Sequence, residues 1–290
     1  MKILIADAFD ASMPKRLEKF GEVTSDMAEL GSATVLLVRS KTKVTKEMVE
    51  QAPKLKLVIR GGVGLDTIDV PACKAKGVEV MNTAAASSVS VAEMAMAFMV
   101  AIPARLIEAH MGMKEGKFLK NELKRTELYQ KTLGLVGAGA IASEVAKRAV
   151  AFGMKVIAYD PFLKTHPIAE LKSFDELLAQ ADVISIHTPL TDQTKGMFHK
   201  DVFAKMKDGV IIINTGRGKV VVEDDLAEAL KSGKVRAYGT DVWFSDPPAP
   251  ECPLLSAPNV FMAPHLGASS KENLLRIGDI VVEILSRFKA

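Results

Sequence analysis

Short, nearly continuous apolar runs recur along the first part of the chain: "KILIAD", "TVLLVRS", "KLVIRG" and "VEVMNT". Strands that alternate in polarity have one wet face, whereas unbroken apolar strands belong to a sheet buried on both faces. Between them, "SMPKRLEKF", "TKEMVEQA" and "VPACKAKG" space their apolar residues as helices do. A second series starts near residue 132 with "TLGLVGAG", "KVIAYD", "VISIHT", "VIIINT", "AYGTDVW" and "VFMAPH". Helical patterns such as "IASEVAKRAVAFG" and "EDDLAEALKSG" separate most of these runs. Strand–helix alternation predicts α/β architecture with parallel sheets covered on both faces. Residues 88–112 read as a long helix joining the two series, and Pro103 should bend or break it. The closing amphipathic segment "ENLLRIGDIVVEILSRFK" is too short for a domain and is expected to pack back on the first series. The pattern therefore predicts two Rossmann-like, doubly wound parallel-sheet lobes, residues 1–92 with 274–290 and residues 93–273. A cleft is expected between them, and such clefts favour ligands.

Composition narrows the function without naming it. The 38 basic and 35 acidic residues leave a net charge of +3 and are interspersed, so no nucleic-acid footprint is expected. The 14 methionines fall within apolar helical patterns and read as core filling. Cys73 and Cys252 form no CxxC pair and lie near no histidine cluster, which argues against a metal site or a disulfide framework and suits a reducing cytoplasm. The N-terminus lacks the long apolar region and cleavage site of a secretion signal. The longest apolar stretch, "VAEMAMAFMVAIPARL", contains Glu93 and Pro103 and is expected to be too short to span a bilayer.

The most informative segment is "KTLGLVGAGAIASEVAKRAVAFGMKVIAYDP". Gly137-Ala138-Gly139 follows a predicted strand and opens a predicted helix. Gly137 permits a tight turn, and Gly139 lets backbone approach a pyrophosphate at the positive end of the helix. Ala142 stands where a third glycine of this fingerprint is common, a permitted variant. The next strand ends in Asp160, 21 residues beyond Gly139, the expected reach to a ribose. A carboxylate there accepts the ribose hydroxyls and repels a 2′-phosphate, so the cofactor reads as NAD rather than NADP.

Ligands of open α/β sheets lie beyond the carboxyl ends of the strands. The second series presents His187, Thr188 and Pro189 there, then Asn214, Thr215, Gly216 and Arg217, then Thr240, Asp241 and Asp246, and finally His265. Oxidation of a hydroxyl by NAD needs a base for the hydroxyl proton, a cation for the substrate carboxylate and carbonyl, and a carboxylate to orient the base. His265, Arg217 and Asp246 suit those roles, with Gly218 leaving the guanidinium room. An arginine fork matches a carboxylate as lysine does not. His187 is a rival base.

Those pieces resemble the D-isomer-specific 2-hydroxyacid dehydrogenase family over nearly the whole chain. The resemblance rests on "RGGVGLDTID", "SVAEMA", "KTLGLVGAGAIA", "AYDP", "HTPLT", "INTGRG", "GTDVWFSDPP" and "PHLGASS". It implies a flavodoxin-like substrate lobe, an NAD lobe, and a catalytic set carried by Arg217, Asp246 and His265. Asp246 departs from the family, which usually has Glu. The resemblance further implies that Gly62, Val63 and Gly64 offer backbone N–H groups to the substrate carboxylate. Thr83, Ala140, Ile141, Asp160, Thr188, Thr215, Gly216, Asp241, Gly267 and Ala268 fall on cofactor-contact positions, beside Gly137 and Gly139, and Arg217 and His265 border the same site.

"RGGVGLD" and "PHLGAS" are most similar to the D-3-phosphoglycerate dehydrogenase branch. Arg60 matches a position that meets the substrate phosphate there, while a second basic position of the branch is Ala75 here, with Lys74 beside it. The expected reaction interconverts D-3-phosphoglycerate and 3-phosphohydroxypyruvate, a step toward serine. A glyoxylate or hydroxypyruvate reductase of the same family is the alternative. An NAD-sensing binding protein is an alternative of another class, against which the intact Arg, Asp and His set argues. The family implies a homodimer through the cofactor lobe, and the apolar helix 91–107 is expected either to supply that surface or to be core. The chain ends after the second crossing helix, so feedback through an appended regulatory domain is not expected.

Overall fold

The computed structural model describes residues 1–288. The chain forms two compact units, Met1–Ser88 with Ala268–Ala290, and Val89–Gly267. The junctions thus fall earlier than the expected 92 and 274. Helix Ala84–Ala104 runs unbroken past the first one, so its periodicity carries no boundary signal.

The first unit holds a five-stranded parallel sheet. Its strands are β1 (Lys2–Ile5), β2 (Glu22–Thr24), β3 (Val35–Val38), β4 (Leu57–Arg60) and β5 (Glu79–Asn82), in the order β2-β1-β3-β4-β5. That is the flavodoxin-like order. The three central strands are buried almost throughout. The short edge strand β2 was not anticipated, because "EVT" is too brief and too exposed to show a period. Helix Lys271–Arg287 starts at Ser270, whose hydroxyl accepts the Asn273 amide at 3.1 Å. It sets Ile277, Val281 and Leu285 among Ile3, Leu37, Leu57 and Ile59. Each such aliphatic side chain contributes about 2 kcal/mol, which brings the end of the chain back to its beginning.

The second unit holds seven parallel strands: β6 (Thr132–Val136), β7 (Lys155–Tyr159), β8 (Glu170–Leu171), β9 (Val183–Ile186), β10 (Val210–Asn214), β11 (Val235–Thr240) and β12 (Val260–Met262). Their order is β12-β11-β10-β9-β6-β7-β8. All strands run parallel, but the side on which successive strands are added reverses between β6 and β9, the switch point where such sheets bind nucleotides. Successive residues face opposite cores. In β10, Ile212 joins Tyr238 and Phe198 on one face, while Ile211 and Ile213 join Met99 and Leu135 on the other. The two-residue strand β8 lies beyond the reach of pattern reading.

The long apolar helix divides into Ala84–Ala104 and Leu106–Lys114. The break is not at Pro103 but at Arg105, whose φ of 56° is left-handed. The first piece has 21 residues and an 18-residue window of mean hydropathy 1.7, so by length and composition it is long and apolar enough to cross a membrane, where the sequence reading expected too short a stretch. Its apolarity is accounted for within the unit, where Ala92, Ala95, Met99 and Ile102 are buried in the core. One face of the helix is therefore core along 91–102, with Val100 exposed, while the more exposed Leu106, Ile107, Met111 and Met113 lie on the piece that follows.

Candidate active site

In the second unit the turn after β6 is shaped for close approach. Val136 pairs with Ile186 across the switch point, so Gly137 and His187 leave the sheet side by side. Gly137 has φ +85°, and a Cβ on it would sit 3.0 Å from the carbonyl carbon of His187. Both conditions demand glycine. Gly139 is the N-cap of helix Ala140–Ala151 and brings no side chain to its first amides. A Cβ built on Gly139 would meet nothing within 4 Å, so the approach to those amides is open. Asp160, at the end of β7, accepts the Ala138 amide at 3.0 Å and the Phe162 amide at 3.0 Å. Each oxygen keeps a lone pair for a further donor. Ala142 is fully buried against the sheet, where a larger side chain would push the helix away.

The next two strand ends carry buried hydroxyls. Among the described residues, Thr188 Oγ1 and Thr215 Oγ1 are buried without a hydrogen-bond partner. A buried unpaired hydroxyl costs about 1–3 kcal/mol. Two of them on neighbouring strand ends to one side of the switch point, beside a glycine turn and uncapped amides, fit an extended anionic ligand such as the pyrophosphate and sugar of NAD. His187 pairs Nε2 with the Ser185 hydroxyl at 2.9 Å, and burial pushes its pKa down to about 4. It stays neutral near pH 7 and cannot store an abstracted proton.

The turn after β10 is built by Asn214, which is fully buried. Its amide donates to the Arg217 carbonyl at 3.0 Å and to the Tyr238 hydroxyl at 3.1 Å, and its oxygen accepts the Gly216 amide at 3.0 Å. Arg217 thereby leaves the sheet in an extended conformation, with Nη1 donating to the Gly216 carbonyl at 2.7 Å. Gly218 serves packing more than guanidinium freedom. A Cβ there would lie 2.0 Å from the carbonyl carbon of Trp243 and 2.6 Å from the Phe244 nitrogen. The Arg217 turn is thus in backbone contact with the loop that carries Asp246. Lys219 adds a cation–π contact to Phe244 at 4.9 Å.

Asp246 and His265 meet. The ring Nδ1 lies 2.5 Å from Asp246 Oδ2. An ionised carboxylate only accepts, so Nδ1 carries the proton and Nε2 is left for chemistry. His265 follows β12 with φ 57°, a left-handed conformation that costs about 1–2 kcal/mol. Asp241 offsets that cost: its two oxygens accept the amides of Leu266 and Gly267, each at 2.7 Å. Burial raises the Asp241 pKa, and the two amides oppose the rise. Both Asp241 oxygens are occupied on the backbone beyond the histidine, while the imidazole is bonded to Asp246. Trp243, the sole tryptophan, donates its indole N–H to the Ala263 carbonyl at 3.1 Å and so ties the Asp246 loop to the strand that bears His265. Neither Trp243 nor the structural part of Asn214 was legible in the sequence, because both act through contacts distant in the chain.

In the first unit, Arg60 ends β4. Its Nη1 donates to the Gly61 carbonyl at 2.8 Å and its Nη2 to the Ser40 hydroxyl at 3.3 Å. The guanidinium lies over Gly62, where a Cβ would come within 1.8 Å of Nη1. Val63 is held by its carbonyl, which accepts from the Asn82 side chain at 2.7 Å. The Thr83 amide donates to the Arg60 and Gly62 carbonyls, and among the described residues its buried hydroxyl has no partner. Gly64 lies half-buried in the same loop. Ala268 receives Arg39 Nη2 on its carbonyl at 3.3 Å. Arg39, which sequence reading passed over, brings a second guanidinium to these strand ends.

Residues 96–267 match the family described as D-isomer specific 2-hydroxyacid dehydrogenase, NAD binding domain. A hydroxypyruvate reductase of Thermotoga maritima is 47% identical over 272 residues, 90% of this chain and 89% of that protein. A D-3-phosphoglycerate dehydrogenase of Archaeoglobus fulgidus is 40% identical over 296 residues, which is 98% of this chain but only 56% of that protein. This chain thus spans little more than half of the latter. Among solved structures, a D-lactate dehydrogenase from Aquifex aeolicus complexed with NAD and lactic acid superposes with a TM-score of 0.89 at 32% identity, covering 99% of this chain and 94% of that one.

Proposed function

Because this chain belongs to the D-isomer specific 2-hydroxyacid dehydrogenase family and carries its NAD-binding domain, we propose that it interconverts a D-2-hydroxyacid and its 2-oxoacid. The observation that carries the reading is the 2.5 Å pairing of His265 Nδ1 with Asp246 on a loop packed directly against the Arg217 turn. Bound NAD supplies the hydride acceptor or donor at the reacting carbon. In the oxidative direction, His265 Nε2 takes the hydroxyl proton, and Asp246 holds the opposite nitrogen and stabilises the imidazolium that results. In the reductive direction the same nitrogen returns that proton to the carbonyl oxygen. Arg217 offers the charge that holds a carboxylate and polarises the carbonyl. Thr188, Thr215, Asp160 and the amides of Ala140 and Ile141 hold the dinucleotide.

The substrate we favour is D-3-phosphoglycerate. Arg60 with Ser40, and Arg39 on the adjacent strand end, support it, since a phosphate seeks two or more donors at one place. A hydroxypyruvate reductase is the second reading. Near-complete mutual coverage with the Thermotoga maritima protein favours it, as does Ala75 where the phosphoglycerate branch has a basic residue. A panel of 3-phosphohydroxypyruvate, hydroxypyruvate, glyoxylate and pyruvate with NADH and NADPH separates the two. On the first reading, Arg60→Ala raises KM for 3-phosphohydroxypyruvate by tenfold or so and leaves glyoxylate nearly unchanged. Equal effects on both substrates favour the unphosphorylated one.

The assembly we propose is a homodimer. Leu106, Ile107, Met111 and Met113 are 47–59% exposed, and Phe118 is 75% exposed, on and just beyond one helix of the cofactor unit. Apolar patches of that kind mark protein contacts. Sedimentation of wild type against a Met111→Asp, Phe118→Asp double variant tests this. A monomer in both samples refutes it.

A further inference from the structure

The segment from Asp160 to Ala169 leaves the sheet at the end of β7 and returns at β8. Asp160 pins one end of it to the glycine turn through the Ala138 amide. A second pin is made by His166. Its Nδ1 accepts the amides of Ile168 at 3.2 Å and Ala169 at 3.0 Å. Those bonds place the ring proton on Nε2, which lies 3.0 Å from Ser143 Oγ and donates to it. Ser143 sits in the first turn of helix Ala140–Ala151 and passes its own hydroxyl proton to the Gly139 carbonyl at 3.0 Å. A continuous chain of bonds therefore runs from the backbone of the loop, through one imidazole and one hydroxyl, to the glycine that borders the pyrophosphate site. Between the pins, Phe162 and Leu163 are 86% and 41% exposed, beside the carboxylate assigned to the ribose.

We infer that His166 is a positioning residue for the dinucleotide. It locks the loop after Asp160 onto the first turn of the cofactor helix and so raises affinity for NAD without taking part in hydride or proton transfer. A loop fixed before binding loses less conformational entropy when the ligand arrives. The role asks for one tautomer and three partners at once, which few side chains can supply. The inference rests on the NAD reading of this unit.

The test is calorimetric titration of the purified full-length chain with NADH, with no substrate present, alongside steady-state kinetics and thermal melts. His166→Ala should weaken NADH binding about tenfold, the share of two to three ordinary hydrogen bonds. It should leave kcat at saturating cofactor within about twofold. His166→Asn places Oδ1 where Nδ1 stood, restores the two amide bonds but not the link to Ser143, and should recover only part of the affinity. Ser143→Ala removes only the link to the helix and should fall between. NADH binding by His166→Ala equal to wild type overturns the inference. So does a His166→Asn variant no better than His166→Ala, or a loss of kcat in step with affinity. If wild type itself fails to bind NADH, the cofactor reading falls and this inference with it.

Discussion

Asp246→Asn isolates the charge of the proposed acid partner. The substitution keeps size and leaves an oxygen to accept from His265 Nδ1, so the ring stays oriented and only the carboxylate charge is lost. Two unit charges about 4 Å apart interact by about 4 kcal/mol at the effective dielectric of a protein surface. The side chains are 36% and 47% exposed, so solvent screening roughly halves that, to about 2 kcal/mol. A charge-assisted hydrogen bond measured by deletion is worth about the same. If that energy stabilises the imidazolium as it forms, kcat/KM falls about 30-fold. Asp246→Glu restores the charge with one extra methylene and should keep partial activity. His265→Ala removes the proton acceptor itself and should cost about a hundredfold or more. Steady-state rates of NAD reduction at saturating NAD and varied 2-hydroxyacid measure all three. A kcat/KM for Asp246→Asn within about threefold of wild type refutes the reasoning. Asp241 offers no escape, since its oxygens are held by the Leu266 and Gly267 amides.

Asp160→Ala should narrow the preference for NAD over NADP at least tenfold or so, because it removes both the ribose acceptor and the charge that repels a 2′-phosphate; an unchanged ratio in paired KM measurements counts against the ribose role. His187, held neutral by burial at about 4 against an ordinary 6.5, makes folding weaker as pH falls through that window, because the unfolded chain takes up the proton first. Denaturant melts at pH 7 and pH 4 should show wild type losing up to about 3 kcal/mol more than His187→Gln, and equal losses refute it. Gly218→Ala forces a Cβ onto the Trp243 backbone at 2.0 Å, so melting temperature and kcat should both drop; a variant as stable and active as wild type contradicts the contact. Trp243→Phe keeps the ring but loses the bond to Ala263, at about 1 kcal/mol of stability, with a larger fractional effect expected on kcat than on KM.

The strand ends were readable because buried parallel strands write themselves as apolar runs, and whatever polar residue follows stands at the site. Gly137, Asp160, Arg217 and His265 were found in that way. The edge strands β2 and β8 were not, since two or three residues at a sheet margin show no period. The break after Pro103 moved to Arg105 because proline restricts the residues before it and leaves the helix free to finish its turn. Trp243, Asn214 and His166 stayed hidden for a different reason. Each works through partners 20 or more residues away or through a backbone carbonyl, and a linear pattern of residue types records neither.

The most direct test of the central claim is the stereochemistry of a single product. Wild-type protein is incubated with NADH and either 3-phosphohydroxypyruvate or hydroxypyruvate, and the hydroxyacid formed is resolved on a chiral column, with His265→Ala run in parallel. The account predicts the D isomer alone, one equivalent of NADH consumed per product, and loss of product formation in His265→Ala with NADH binding intact. An L or racemic product, or tight NADH binding with no reduction of any 2-oxoacid, contradicts it.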